Sequence, residues 1–462
     1  MESGLSSRAD RTLKELLPAF AAAAPPKHNP TTAVDLSTAQ NEVLRPELLE
    51  FFKSTVEDKA TSEVFALPAS NGGDPKLREA LASFFNTYFH PIHPVKPEHI
   101  ALTAGACDAI ENVIHAVCDD GDSVLVPGPS WRKSHATPPS LENIMKLRPE
   151  DTDGFTPMLK ARANVNIIVA QPPTYANFDN YLVPSLQAVY DFSADKSRIK
   201  AVLLCNPHNP LSRCYPKKAL LEVMEFCQEH GLHLIIDEIY ALTDLNNAPD
   251  SAPNFVSALS LTEPLRREGA VKVDPSRVHV VWSASKLFGM SGFRVVSLFH
   301  PVLPTITDSS VSTQGCIISQ QNQPLISALS LLTTSHVNTV ASLYLASLLT
   351  WPQLPTLLKL NTERLTSSYR LLATFLRKWD VDFVTPSHGL FLFAKLARHA
   401  RSAGEEKLFF DALLRSGVKV ADASGFRGVE GDFGWARIRF SVSEEGLREG
   451  LGRMEVFLEE RK

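Results

Sequence analysis

A chain of 462 residues with 44% hydrophobic and 21% charged residues has an ordinary globular composition, long enough for a large core and more than one domain. Its formal net charge of -5, without a long run of either sign, argues against partners such as nucleic acid or an anionic membrane surface. No apolar stretch approaches the roughly 20 residues that span a bilayer.

Residues 1–30 lack the basic-then-apolar order of a secretion signal and read as an N-terminal arm. The six cysteines (Cys107, Cys118, Cys205, Cys214, Cys227 and Cys316) form no Cys-x-x-Cys pair and no His-rich metal spacing. They predict a reduced, cytoplasmic setting without a metal, most of them acting as small core residues. From about residue 98, apolar runs of strand length alternate with helical patterns. The runs are SVLVPGPSW, VNIIVAQPP, IKAVLLCNP, LHLIIDEIY, RVHVVWSAS and FRVVSLFHP. Lys217–Gly231 reads as a helix with a glycine stop. Continuous rather than alternating apolar strands predict a mostly parallel α/β sheet covered on both faces. The proline- and charge-rich stretch 137–153 reads as a surface insertion. Near residue 315 the pattern changes to one long helix, from ASLLTWPQ to LLATFLRKW, followed by the short strands GLFLFAKL and WARIRFSV. That predicts a second, α+β domain.

The notable polar residues fall at the carboxyl ends of the apolar runs, where open parallel sheets bind ligands. Gly105, Ala106 and Cys107 open an amphipathic helix, whose free amides and positive end suit an anion. Trp131 ends a proline-rich turn, as a stacking ring or as a plain rim tryptophan. Asn209 lies in CNPHNP, where two Asn-Pro steps force a non-helical turn; it is a donor to a ring oxygen or a turn former. Asp237 follows three aliphatic residues, and a buried carboxylate there needs a cation or donors. Tyr240 stands three residues on. Ser283 and Ser285 offer hydroxyls, and Arg294 offers a planar fork for phosphate. Lys286, if desolvated, suits imine formation with an aldehyde. A protonated ring nitrogen, a phenolic oxygen, an aldehyde and a phosphate together describe pyridoxal 5′-phosphate.

With RVHVVWSASKLFGMSGFRVV, FVSAL, NPHNPL, DEIY and GWARIRFS in hand, the chain resembles a fold-type I pyridoxal-phosphate enzyme of the class I/II aminotransferase superfamily. It is most similar there to the 1-aminocyclopropane-1-carboxylate synthase branch, over roughly residues 32–451. The resemblance implies an aspartate aminotransferase-like fold. Residues 31–65 and 315–462 would form the small α+β domain, and residues 66–314 the large cofactor-binding domain. It also implies a homodimer with active sites at the subunit interface.

By position, the resemblance makes Lys286 the residue that condenses with the cofactor aldehyde and carries the α-proton. Asp237 would hold the pyridine nitrogen protonated, and Asn209 and Tyr240 would bind the ring oxygen. Ser283, Ser285, Arg294 and the amides of Ala106 and Cys107 would hold the phosphate, and Trp131 would stack on the ring. Arg437 would clamp the substrate's α-carboxylate, with Arg439 as the adjacent alternative.

The chain departs from the branch at two positions. Ala39 and Gln40 lie in LSTAQNEV, where the branch has a glutamate at the position of Gln40. A neutral amide loses that charge's attraction for the sulfonium of S-adenosylmethionine. Asn71 falls where a tyrosine of the partner subunit normally reaches the phosphate. The insertion leaves Phe155 as an alternative to Trp131 near the pocket. Amino-group transfer from an amino acid to a 2-oxo acid is therefore the first expectation. Elimination, cyclisation or replacement at the γ-carbon of S-adenosylmethionine is the second. A non-catalytic binding protein is the third, opposed by the presence of Lys286, Asp237, Tyr240 and Arg294.

Overall fold

The computed structural model describes residues 33–66, 72–130, 155–175, 178–246, 252–261, 273–292, 314–423, 426 and 428–461, with five scattered positions before residue 15. A short strand β1 (Val34–Asp35) leads to helix α1 (Arg45–Lys59) and helix α2 (Pro75–Tyr88). Asp74 accepts from Leu77 N at 2.9 Å and Pro75 occupies the start of α2, so the local sequence sets where that helix begins. Leu77, Leu81, Phe84 and Phe85 form its buried face. The rings of Phe84 and Phe85 lie 5.2 and 5.8 Å from that of Trp282, which docks the helix on the sheet.

Strand–helix alternation then begins. It runs through β2 (Ile100–Thr103), α3 (Ala106–Val117), β3 (Ser123–Pro127), α4 (Phe155–Ala163), β4 (Asn166–Ala170) and α5 (Leu182–Asp191). It continues through β5 (Ile199–Cys205), α6 (Lys217–Glu229), β6 (His233–Asp237), β7 (Val278–Ser283) and the one-turn helix α7 (Ala284–Leu287). Helix α6 buries Leu220, Val223, Met224 and Cys227, and Gly231 follows it at φ +67, the left-handed stop expected there. Strand β8 (Gly315–Ile318) completes a seven-stranded sheet in the order β2-β8-β7-β6-β5-β3-β4. Six strands run parallel and β8 alone is antiparallel. Strands β2, β7 and β8 are buried along their whole length, as continuous apolar runs require.

Two expectations shift. The boundary expected at residue 315 falls too early, because Gly315–Ile318 returns the chain to the large sheet between β2 and β7. The expected single long helix is two, α9 (Thr339–Leu349) and α10 (Leu354–Lys378), after the intervening α8 (Gln323–Leu332). Pro352 lies at the break, since proline supplies no amide hydrogen and crowds the preceding turn.

The remainder is α+β. It comprises β9 (Phe383–Val384), β10 (Phe391–Ala394), α11 (Ala403–Arg415), β11 (Val418–Lys419), β12 (Ala421–Asp422), β13 (Ala436–Arg439) and α12 (Glu444–Glu459). Strands β12, β13, β10 and β9 form an antiparallel sheet, and β11 pairs in parallel with β1. That pairing brings the N-terminal segment against the C-terminal part. The fold is thus α/β with a mostly parallel sheet flanked by helices, plus a smaller α+β layer. Among the described residues no helix is long and apolar enough to cross a membrane.

Candidate active site

Register across the large sheet gathers the site. Thr103 of β2 and Ser283 of β7 both face Gly315 of β8, and Asp237 of β6 lies between Cys205 of β5 and Val281 of β7. The carboxyl ends of the parallel strands therefore open on one edge.

At the β2 end, Gly105 adopts φ 116 just before α3, a backbone state that side chains disfavour. Thr103 Oγ1 donates to Gly105 O at 3.0 Å, and Ala104 N donates to Asp108 Oδ2 at 2.8 Å. These bonds fix the turn that aims the start of α3, with Ala106 and Cys107, along the sheet edge. A Cβ on Gly315 would meet Gly105 C at 2.6 Å, so only glycine lets β8 approach this closely. Beside it, Ser283 and Ser285 are fully buried, and Ser283 Oγ donates to Ser285 Oγ at 2.9 Å.

Asp237 is buried, and Ile239 N donates to its Oδ1 at 3.1 Å. Burial pushes its carboxyl up from 3.8 to about 7, against the Ile239 amide and the positive charge of Lys286. Lys286 is half-buried on α7, and its Nζ donates to Ala39 O at 2.6 Å. Tyr240 is buried edge-on to Phe391, with centroids 5.3 Å apart, and burial raises its hydroxyl far above the usual range. Asn209 Oδ1 accepts from Arg437 Nη1 at 2.9 Å, which joins the β5 turn to β13.

The two arginines of β13 differ in their partners. Arg437 lies over the rings of Phe391 and Phe426, 4.6 and 5.2 Å from their centroids, and its Nη2 donates to Ser37 O at 2.7 Å. Arg439 is paired with the carboxylate of Glu42 at 3.0 Å and donates to Asp35 O at 2.6 Å. Gln40 is half-buried, and its backbone oxygen accepts from Ser441 Oγ at 2.7 Å. Ala39 thus lies against Lys286, with Gln40 next in the chain.

Trp131, Asn71 and Arg294 lie outside the described residues, as does the side chain of Phe155. Ser37, Phe391, Phe426 and Gly315 also meet at this site and are not singled out by the motifs of the sequence. Of these only Gly315 carried a local signal, a glycine opening an apolar run.

Residues 31–137 and 161–454 match the family described as aminotransferase class I and II. The chain belongs to that family. The match pauses around the stretch 137–153. A probable aminotransferase of Aspergillus oryzae, aclI, is 34% identical over 99% of this chain and 98% of its own length. A probable aminotransferase of Leptosphaeria maculans, sirI, is 31% identical over 99% and 98%. The 1-aminocyclopropane-1-carboxylate synthase 1 of Oryza sativa subsp. indica is 27% identical over 94% of this chain and 82% of its own. An aspartate aminotransferase structure from Thermus thermophilus superposes with a TM-score of 0.67 at 21% identity, covering 98% of this chain and 99% of the other. This family member is a fold-type I enzyme, and its cofactor is pyridoxal 5′-phosphate. The residues present fit that cofactor: Asp237 is a buried carboxylate in no ion pair among the described residues, and burial raises its carboxyl to about 7. A protonated ring nitrogen is the cation that position lacks.

Proposed function

We propose that this chain transfers the amino group of an α-amino acid to a 2-oxo acid. When bound, pyridoxal phosphate supplies an aldehyde for the amino group and a ring that takes up the electron pair left at the α-carbon. Lys286 provides the amine that binds that aldehyde and then moves the α-proton. Asp237 keeps the ring nitrogen protonated, while Tyr240 and Asn209 donate to the ring oxygen. Ser283, Ser285, Arg294 and the start of α3 at Ala106 and Cys107 hold the phosphate, with Trp131 on the ring face and Asn71 reaching across from a second copy in a homodimer. Arg437 binds the substrate's α-carboxylate with a paired fork.

The observation that carries this reading is the position of Arg437. It reaches Asn209 across the two layers, while Arg439 is held by Glu42. A carboxylate bound by Arg437 lies beside the residues proposed to hold the ring. The six free cysteines support a reducing, cytoplasmic setting.

A second reading, elimination or replacement at the γ-carbon of S-adenosylmethionine, is favoured by the 27% identity to the rice synthase and by Ala39, next to Gln40 in the chain, lying against Lys286. Gln40 weighs against it, since an amide has no charge to face a sulfonium. One experiment separates the two. The cofactor-loaded protein is mixed with a panel of common amino acids plus a 2-oxo acid, and separately with S-adenosylmethionine. Formation of a new 2-oxo acid supports amino transfer, and methylthioadenosine release supports the second reading. Neither product, across the panel, overturns the proposal.

A further inference from the structure

The stretch that carries Ala39 and Gln40 is tied on two sides. Strand β13 and the residue after its neighbour hold one side, where Arg437 Nη2 donates to Ser37 O and Ser441 Oγ to Gln40 O, each at 2.7 Å. Asn41 holds the other. It is only 2% exposed, and its Nδ2 donates both to Leu287 O and to Asn361 Oδ1, each at 2.9 Å. Leu287 is the residue after Lys286. Two residues further on, Gly289 adopts φ +65, and a Cβ there would come within 2.0 Å of Asn41 O. Asn41 therefore seats its own backbone directly on the turn that bears the lysine. Two residues upstream, Ala39 O accepts from Lys286 Nζ at 2.6 Å.

We infer that Asn41 is a positioning residue for proton transfer: by seating residues 39–41 on the Leu287–Gly289 turn, it holds the Ala39 carbonyl as the acceptor for the Lys286 ε-ammonium. This rests on the reading of Lys286 as the carrier of the α-proton. In that step the substrate's Cα–H bond breaks and an N–H bond forms on Nζ, while the electron pair stays on the substrate side. The amine becomes a cation in a half-buried place, and such a cation needs an acceptor. A charge-assisted bond to a carbonyl supplies one. A backbone carbonyl does not take the proton itself, so the ammonium remains able to return it. Only the fixed position of residue 39 decides whether that acceptor is in reach.

The test uses Asn41→Ala and Gly289→Ala, which disturb the same seat from opposite sides. Arg364→Ala serves as the control. It loosens the neighbouring stretch by removing the bonds from Arg364 to Val43 O and to Glu47, none of which involves Lys286 or residues 39–41. Two measurements are made. In the cofactor-loaded protein, an α-deuterated amino acid is turned over, and kcat, KM and the deuterium isotope effect are recorded. In cofactor-free protein at fixed pH, the rate at which an amine-acylating reagent labels Lys286 is read by peptide mapping.

The first two variants lose about tenfold or more in kcat with a larger isotope effect and little change in KM, because proton transfer alone is slowed. Their Lys286 also acylates faster, since the amine is no longer held by Ala39 O. Arg364→Ala melts earlier but keeps the isotope effect and the labelling rate of the unaltered protein. An Asn41→Ala protein with unaltered labelling overturns the inference, and so does an Arg364→Ala protein that reproduces the faster labelling. If the unaltered protein washes no deuterium from any amino acid, the proposed amino-acid chemistry fails, and the labelling comparison still decides the role of Asn41.

Discussion

Arg437 donates to the side-chain oxygen of Asn209 at 2.9 Å, and this bond joins the small antiparallel sheet to the turn after β5. Two residues along the same strand, Arg439 is 5% exposed and spends its charge on Glu42. The two substitutions should therefore fail differently. Arg437→Ala should raise KM for the amino acid about 30- to 150-fold in the protein that remains folded, the effect of losing about 2–3 kcal/mol of charged hydrogen bonding. Arg439→Ala removes the more buried of the two arginines that pair with Glu42, leaving only the exposed Arg45 at 3.2 Å, and should lower Tm while leaving KM nearly unchanged in the protein that remains folded. Steady-state kinetics and melting curves on both variants check the contrast, and a KM effect confined to Arg439→Ala would reverse the assignment.

The pH dependence of cofactor-free protein should report Asp237. Its carboxyl titrates near 3.8 when unfolded and at about 7 when folded, because burial opposes its charge. Below about pH 4 both states hold the proton. Between about 4 and 7 the unfolded chain has released it and the folded chain retains it, so stability falls as pH rises and levels off above 7. The gap is worth at most about 4 kcal/mol. Glu238 and Glu406, buried and raised to about 8 and about 7, slope the same way. Asp237→Asn should thus flatten only part of the fall seen in denaturant titrations across this window. Adding cofactor to the unaltered protein should flatten the same part, since a ring cation stabilises the carboxylate. An equal slope with and without cofactor would remove Asp237 from its proposed partner.

The residues behind these effects were unequally legible in the sequence. Asp237, Tyr240 and Asn209 follow continuous apolar strands, and a sheet covered on both faces has only its edge for polar groups. Their place at the edge could be read locally. Ser37, which meets Arg437, lies 400 residues from it, and no local pattern encodes such a contact. Phe391 and Phe426 look like core aromatics until β10 and β13 pair. Strand β8 is hard to see in the sequence because four residues opening with glycine resemble a loop, and its antiparallel direction breaks the strand–helix rhythm of its neighbours. The proline at 352 was visible, but the apolar spacing on either side of it continued and was read through.

Lys286 should be recognisable by spectroscopy and by its effect on Asp237. Reduction of cofactor-loaded protein with borohydride should fix the cofactor to the peptide containing Lys286, and Lys286→Ala should lose the visible absorbance band. The same substitution removes a positive charge that holds the Asp237 carboxyl down. In cofactor-free Lys286→Ala protein, the fall in stability with rising pH should therefore extend above 7 rather than ending near it. A band that survives in Lys286→Ala would place the aldehyde on another amine.

Gly315 touches no proposed ligand atom, yet it should control cofactor affinity. Its missing Cβ is what lets β8 lie against the turn before α3; a methyl group there would stand 2.6 Å from Gly105 C and 2.9 Å from Ala106 N. Both neighbours are backbone, so neither can swing aside as a flexible side chain does. Gly315→Ala must part the strand from the turn, at a cost of about 1–3 kcal/mol of overpacking. The displaced atoms are those that would meet the phosphate, and the amide of Ala106 would no longer point along the sheet edge. Cofactor affinity measured by tryptophan fluorescence should weaken by more than tenfold, about 1.4 kcal/mol. Inorganic phosphate should likewise protect the variant from thermal unfolding less than it protects the unaltered protein. Equal protection would mean that the phosphate is held elsewhere than at the start of α3.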